Sequence, residues 1–87
     1  MDTVAEVKQR ISLTDFVSRT IKLQKSGRNY RGLCPFHTEK TPSFYVFEDT
    51  ATWRCFGSCG EGGDIFSFLQ KRENMNFREV LEVLARE

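Results

Sequence analysis

Cys34, His37, Cys55 and Cys59 fall into two short pairs, C-x2-H and C-x3-C, with seventeen residues between them. They account for all three cysteines and the only histidine of the chain. Zinc takes thiolate and imidazole ligands in a tetrahedron, and two close pairs joined by a long loop can supply one with little strain. The competing readings are a core of buried free thiols with one satisfied histidine, or a disulfide with one spare thiol, since three cysteines cannot all pair. The disulfide reading requires an oxidising compartment. The N-terminal MDTVAEVKQR is charged and has no apolar stretch of the kind a secretory leader carries, and no run is long enough to span a bilayer. The sequence therefore reads as a soluble, reduced, cytoplasmic chain with no membrane partner. Four protein ligands leave zinc no open position for water, so the metal is expected to be structural. With His37 given to the metal, no catalytic constellation remains, and the chain alone reads as non-catalytic. Glu39, two residues beyond His37, is either an acceptor that orients the imidazole or a solvent-facing loop carboxylate.

The elements that position these residues follow from pattern. Thr3-x-x-Glu6 reads as a capping box before a helix over 4–11, with Val4, Val7 and Ile11 at helical spacing. Ser12-x-x-Asp15 opens a second, short helix carrying Phe16 and Val17. Residues 21–24 alternate apolar and polar and predict a strand ending at the Ser26-Gly27 turn. Strands are expected again over 29–33, 43–48 and 51–56, with a turn at Glu48-Asp49. Pro35 and Pro42 bracket the loop after the first ligand pair. Gly57, Gly60, Gly62 and Gly63 surround the second, where a knuckle needs sharp turns and positive φ. Asp64 suits an N-cap for a helix with Ile65, Phe66, Phe68 and Leu69 on one face. Asn76-x-x-Glu79 opens a last helix with Phe77, Val80, Leu81 and Leu84 on one stripe. The helical pattern reaches Glu87 without a visible C-cap, which reads as a piece of a longer protein. The expected domain is single, 1–87, with a ribbon core over about 21–63 and helical flanks over 3–19 and 64–87.

The chain has 87 residues and 39% apolar content, so its core is small. Eight Phe, one Trp and two Tyr enlarge what it can bury, and a bound metal would supply further stability. Net charge is only +1, which excludes a general polycation. The charge is uneven, however. Residues 16–40 hold six basic groups and one acid, whereas the remainder holds seven basic and eleven acidic groups. That is the footprint of a local polyanion site, although a solvated basic face is the commoner meaning of a single charge run.

The string from Lys25 to Phe44, and within it C-P-F-H-T-E-K-T-P-S-F, closely resembles the N-terminal zinc-binding domain, with its CHC-type zinc finger, of bacterial DnaG-type DNA primases. The likeness continues through Cys55-Phe56-Gly57, Gly60-x-Gly62-Gly63-Asp64-Ile65-Phe66 and the flanking helices. It covers essentially the whole chain. The resemblance implies a small α+β zinc ribbon, an antiparallel sheet with flanking helices and one structural zinc at one end. Cys34, His37, Cys55 and Cys59 would be the ligands. It further implies recognition of single-stranded DNA template for RNA primer synthesis, within a replisome. Polymerisation would belong to a separate Toprim-type domain, a partner in cis or in trans, and contact with the replicative helicase to a region outside these residues. The sequence departs from the family pattern at one place. Where the family has C-F-G-C-G, this chain has Cys55-Phe56-Gly57-Ser58-Cys59-Gly60, one residue longer.

Cations to neutralise phosphate and aromatic faces to stack on unpaired bases are what single-strand binding needs. Arg28, Tyr30, Arg31 and Lys40 cluster around the first ligand pair. In 43–47, Phe44 and Val46 share one strand face, with Tyr45 and Phe47 on the other. If helices cover one face only, the other aromatic pair is a stacking platform and Tyr45 joins the candidates; if helices pack on both faces, all are core. Trp53, on one face with Cys55 and opposite to Arg54, is a further candidate. Two other functions compete. In one, the acidic and apolar C-terminal helix docks the chain on a primase polymerase domain or a neighbouring subunit. In the other, zinc thiolates act as a redox sensor.

Overall fold

The computed structural model describes residues 3–38 and 40–87. Two helices, α1 (Thr3–Arg10) and α2 (Leu13–Ser18), precede five short strands: β1 (Gln24–Ser26), β2 (Asn29–Gly32), β3 (Phe44–Phe47), β4 (Thr52–Cys55) and β5 (Gly62–Gly63). Helices α3 (Ile65–Glu73) and α4 (Phe77–Ala85) close the chain. The strands form one antiparallel sheet in sequence order, a meander with no crossover.

Two turns set the register. Ser26 pairs with Asn29 across the two-residue loop Gly27-Arg28, and Gly27 takes a φ of 63°, which glycine adopts without steric cost. Pairing then runs back to Gln24↔Arg31 and stops. The strand expected over 21–24 is therefore displaced. Beyond Gly32 the second strand leaves for the Cys34 knuckle, so Ile21 to Leu23 have no partner to pair with. Ile21 and Leu23 pack instead as half-buried residues against the core, and Lys22 is exposed. At the same end of the sheet, β3 and β4 are joined by a tight turn in which the Ala51 amide donates to the Glu48 carbonyl at 3.2 Å. The short strand β5 was not foreseen, because its two glycines carry no strand pattern.

Cross-strand rows define the two faces. Tyr30, Val46, Trp53 and Gly63 form one row, and Arg31, Tyr45, Arg54 and Gly62 the next. All four helices contribute their buried side chains to the first face, where Phe44, Val46 and Trp53 meet Val7, Phe16, Val17, Phe68, Leu69, Val80 and Leu84. Phe68 is the hub of this core. Its ring lies 5.5–6.2 Å, centroid to centroid, from Phe16, Phe36, Phe44 and Trp53.

Side chains cap the helix ends much as the sequence announces. The Ser12 hydroxyl accepts from the Asp15 amide. Asn76 and Glu79 form a reciprocal capping box. Thr3 is the first residue of α1 rather than its cap, and the position before it lies outside the described residues. The far end of α4 is capped through space, as the Arg10 guanidinium donates to the carbonyls of Leu84 and Ala85, each at 3.2 Å. A cation there complements the helix dipole.

Asp64 does the most for α3. Its carboxylate accepts from the Ser67 amide at 3.0 Å, while its own amide donates to the Ser67 hydroxyl at 2.8 Å. Lys8 of α1 pairs with the same carboxylate at 2.8 Å. Burial raises the carboxyl pKa, but the Lys8 and Ser67 hydrogen bonds outweigh it and hold it below the ordinary value. The depressed pKa makes Asp64 stabilising above the ordinary carboxylate pKa, and the contribution is lost as pH falls through the folded value. Asp64→Ala is expected to cost about 1 kcal/mol at neutral pH, and the gap from the parent should close on acidification. Urea melts of both proteins at neutral and acid pH measure this. A gap that stays constant with pH would contradict it.

Candidate metal centre and nucleic-acid face

Each ligand candidate arrives by a different route. Cys34 follows the end of β2, and His37 sits in the turn after Pro35. Cys55 is the last residue of β4, and Cys59 lies on the loop between β4 and β5. Gly60, just past Cys59, adopts a φ of 60°, the positive value a knuckle needs. The four ligand atoms lie within 4.8 Å of one another. Cys34 Sγ is 3.7 Å from Cys59 Sγ, and His37 Nε2 is 3.3 Å from Cys55 Sγ. A tetrahedral zinc with ordinary Zn–S and Zn–N bonds requires ligand separations of about 3.5–3.8 Å, so the cluster fits such an ion with small adjustments. Cys34 and Cys55 are buried, Cys59 is half-buried, and all three are free.

The surroundings favour thiolate at part of the site. Burial alone would raise the Cys55 thiol, but hydrogen bonds from His37, Cys59 and the Gly57 amide prevail and lower it. The Gly57 amide donates to Cys55 Sγ at 3.3 Å. Cys34 is pushed up, chiefly by burial. Three thiolates, one neutral imidazole and a divalent ion sum to a single negative charge. The Lys71 ammonium lies nearby, 5.4 Å from the Phe36 ring centroid and paired with Glu61. Its pKa is raised first by Glu61, with Cys59 and Cys34 adding to the effect.

Ser58, the residue by which the second knuckle exceeds the family spacing, has a place in this arrangement. Its hydroxyl lies 3.3 Å from His37 Nδ1, the ring nitrogen opposite the one that faces the thiols. A partner at that position holds the imidazole in the orientation and tautomer a metal needs. The extra residue thus leaves Cys59 within the cluster. Glu39, the other partner considered for His37, lies outside the described residues.

The structure divides the nucleic-acid candidates. Arg31 and Tyr45 are direct cross-strand partners on the face away from the helices, and Arg54 is the next residue in that row. Tyr45 and Phe47 stack there at 6.3 Å, with Phe56 edge-on to both at 5.5 and 6.5 Å. Phe56 is 60% exposed, and the Arg54 guanidinium lies 5.7 Å from its ring centroid. Lys40 is exposed in the loop at the metal end, whereas Arg28 is in the hairpin turn at the opposite end. Tyr30 points to the helical side and is half-buried against the core, with the Lys25 ammonium 6.0 Å from its ring centroid. Trp53 is not available for stacking: it is 2% exposed, lies 5.3 Å from Phe44 in a stacked pair, and donates its indole N–H to the Asp64 carbonyl at 2.9 Å. Sequence reasoning missed Phe56 and Arg54. The alternation of β4 put Arg54 on the right face, but Phe56 lies just past the strand, where parity says nothing.

Ion pairing is uneven in the same sense. Lys8, Arg19, Lys71, Arg72 and Arg78, all on or beside helices, pair with carboxylates. Among the described residues, Lys22, Arg28, Arg31, Lys40 and Arg54 form no ion pair. Among those residues, too, no helix is long and apolar enough to cross a membrane.

A three-cysteine, one-histidine cluster clamped at one end of an antiparallel meander, with helices on one face only, defines a small α+β zinc ribbon. The chain belongs to the CHC2 zinc finger family, whose model matches residues 1–87. It is 48% identical over 84 residues to the DNA primase of Clostridium acetobutylicum and 45% identical over 84 residues to that of Enterococcus faecalis, in each case over 97% of this chain. It spans only 14% and 13% of the lengths of those two proteins. Among solved structures, the Aquifex aeolicus primase (zinc binding and RNA polymerase domains) superposes with a TM-score of 0.90 at 38% identity. The match covers 99% of this chain and 21% of that one.

Proposed function

We propose that the chain is the template-recognition module of a bacterial-type DNA primase, a single domain braced by one structural zinc ion on Cys34, His37, Cys55 and Cys59. The observation that supports this best is the open sheet face. Tyr45, Phe47 and Phe56 form a contiguous aromatic surface bordered by Arg31 and Arg54, two cations without carboxylate partners among the described residues. Aromatic faces accept unpaired bases of any sequence, and the cations track the phosphates between them. Lys40 extends the positive border at the metal end. Arg28 contributes only to a strand long enough to reach the hairpin tip. In this reading the metal holds the strand ends in register, phosphoryl transfer belongs to the primase polymerase domain, and the setting is the bacterial cytoplasm.

The test is fluorescence anisotropy of the zinc-loaded chain with labelled single strands that differ in one central triplet, at low and moderate salt. Binding is expected to weaken with salt and to vary with the triplet. Phe56→Ala should weaken it about tenfold, since stacking on one ring is worth about 1–3 kcal/mol. Arg54→Glu should weaken it at low salt and flatten the salt dependence. Neither change should move the melting temperature, because both side chains are exposed. Absence of binding to any strand at low salt would sink the proposal.

A further inference from the structure

Each ligand pair is carried by a short loop, and one side chain of α3 touches both loops. Phe36 stands between Cys34 and His37 in the first loop, and Glu61 follows Cys59 by two residues in the second. The Lys71 ammonium lies 5.4 Å from the Phe36 ring centroid and pairs with the Glu61 carboxylate. Phe68 is three residues earlier in α3, and residues at that spacing share one side of a helix. Its ring lies 5.5 Å, centroid to centroid, from the same Phe36 ring. Phe36 is thus held by α3 twice, by an apolar ring from the core and by a cation at the surface.

The second loop meets the helix differently. Between β5 and α3 lies a recess of about 500 Å³, and Glu61 and Lys71 both line it, with Trp53, Ser67 and Gln70. The loop is tied to the helix there by opposite charges. At the base of the loop the Cys55 amide donates to the Glu61 carbonyl at 2.8 Å, so the backbone that carries the Glu61 side chain is itself bonded to a ligand candidate. The Lys71 charge also reaches the thiols. Glu61 raises the Lys71 pKa most, and Cys59 and Cys34 add to the rise.

A site built from two ligand pairs on two loops loses its ion when the pairs part. A contact common to both loops opposes that separation. We propose that Lys71 is a positioning residue of the metal centre, a latch that holds both ligand loops against α3 and slows loss of the ion. The latch rests on the assignment of Cys34, His37, Cys55 and Cys59 to one zinc ion. An exposed ion pair and a single cation–π contact are each small, so the latch changes the rate of metal release and leaves the fold in place.

The test is zinc release from the loaded chain to an excess of a chromophoric chelator, far below the melting temperature and at two salt concentrations. Lys71→Met keeps an unbranched side chain and removes the charge. It should speed release about fivefold, the size an exposed ion pair and one cation–π contact can supply together. Lys71→Arg should restore the parent rate, because a guanidinium pairs with a carboxylate and stacks on a ring. Glu61→Gln should speed release about threefold, and the double variant should be no faster than Lys71→Met alone. Salt should quicken release from the parent and not from Lys71→Met. Arg78→Met removes an exposed ion pair with Glu82 inside α4; it is the matched control and should release zinc at the parent rate. The latch is overturned by an unchanged rate in Lys71→Met or Glu61→Gln, by failure of Lys71→Arg to restore the rate, or by a control as fast as Lys71→Met. Zinc stoichiometry is read on the same samples. A parent chain that holds no zinc would overturn the ligand assignment and the latch together, whereas one equivalent of zinc with rates indifferent to Lys71 counts against the latch alone.

Discussion

Replacing Cys55 by serine is expected to abolish metal retention and cooperative unfolding together. Cys55 is fully buried and belongs to two structures at once. As a strand residue it pairs with Phe44. As a ligand candidate its sulfur lies 3.3 Å from His37 Nε2 and accepts the Gly57 amide. Serine offers no thiolate at neutral pH and leaves a buried hydroxyl beside two other thiols. Structural zinc sites of this kind contribute about 10–16 kcal/mol of apparent binding energy, against a total stability of about 5–15 kcal/mol for a small domain. Loss of the ion therefore exceeds what the aromatic core can offset. Zinc release to a chromophoric chelator, followed on the same sample by thermal circular dichroism, reads both effects. Cys59→Ser should be milder, because Cys59 is half-buried and sits on the loop. A Cys55→Ser protein that kept one equivalent of zinc and the parent melting temperature would remove the ligand assignment. Acid should act in the same direction as the substitution, since the thiolates must bind protons before they release the ion.

Phe68→Ala is the second large effect. Phe68 has no exposed surface, and its ring contacts four other aromatics drawn from α2, β3, β4 and the loop between the first ligand pair. Truncation to alanine in such a site costs about 3–5 kcal/mol, the lost transfer energy plus the cavity left behind. In a domain of this size that corresponds to a fall of about 15–30 °C in melting temperature. Because Phe36 lies between Pro35 and His37 and packs on Phe68, the same change should also speed zinc release. Phe56→Ala is the matched control, with the same side chain removed from an exposed position. Similar losses in the two variants would mean that α3 is not what anchors the sheet.

Sequence and structure agree where chemistry is local. The candidate ligand set was legible because its four members are all of the chain's cysteines and its only histidine. The caps at Ser12, Asp64 and Asn76 were legible because each bonds to a backbone amide three residues away. The alternation in β3 correctly separated Phe44 and Val46 from Tyr45 and Phe47, since strand geometry sends successive side chains to opposite faces. Disagreement begins where an outcome depends on residues far along the chain. The strand expected over 21–24 matched in pattern, yet pairing is decided by the turn at Gly27 and by the departure of β2 toward Cys34.

Alternation sorts side chains into two sets but cannot say which set the helices will cover, because that depends on where α1, α3 and α4 land. Tertiary packing alone put Trp53 into the core, half-buried Tyr30 on the helical side, and left Tyr45 and Phe47 half-buried and Phe56 exposed on the other face. It also decided which cations find carboxylates, since Lys8 reaches Asp64 and Arg19 reaches Glu87 only after the helices have packed. The sequence by itself determined the metal-ligand candidates, the helix starts and the parity of the strands, read from residue types and from spacings of a few residues. The tertiary structure decided the exposed face and which of its charges lack a carboxylate partner among the described residues, because exposure and ion pairing are properties of surfaces that exist only once distant segments are in contact.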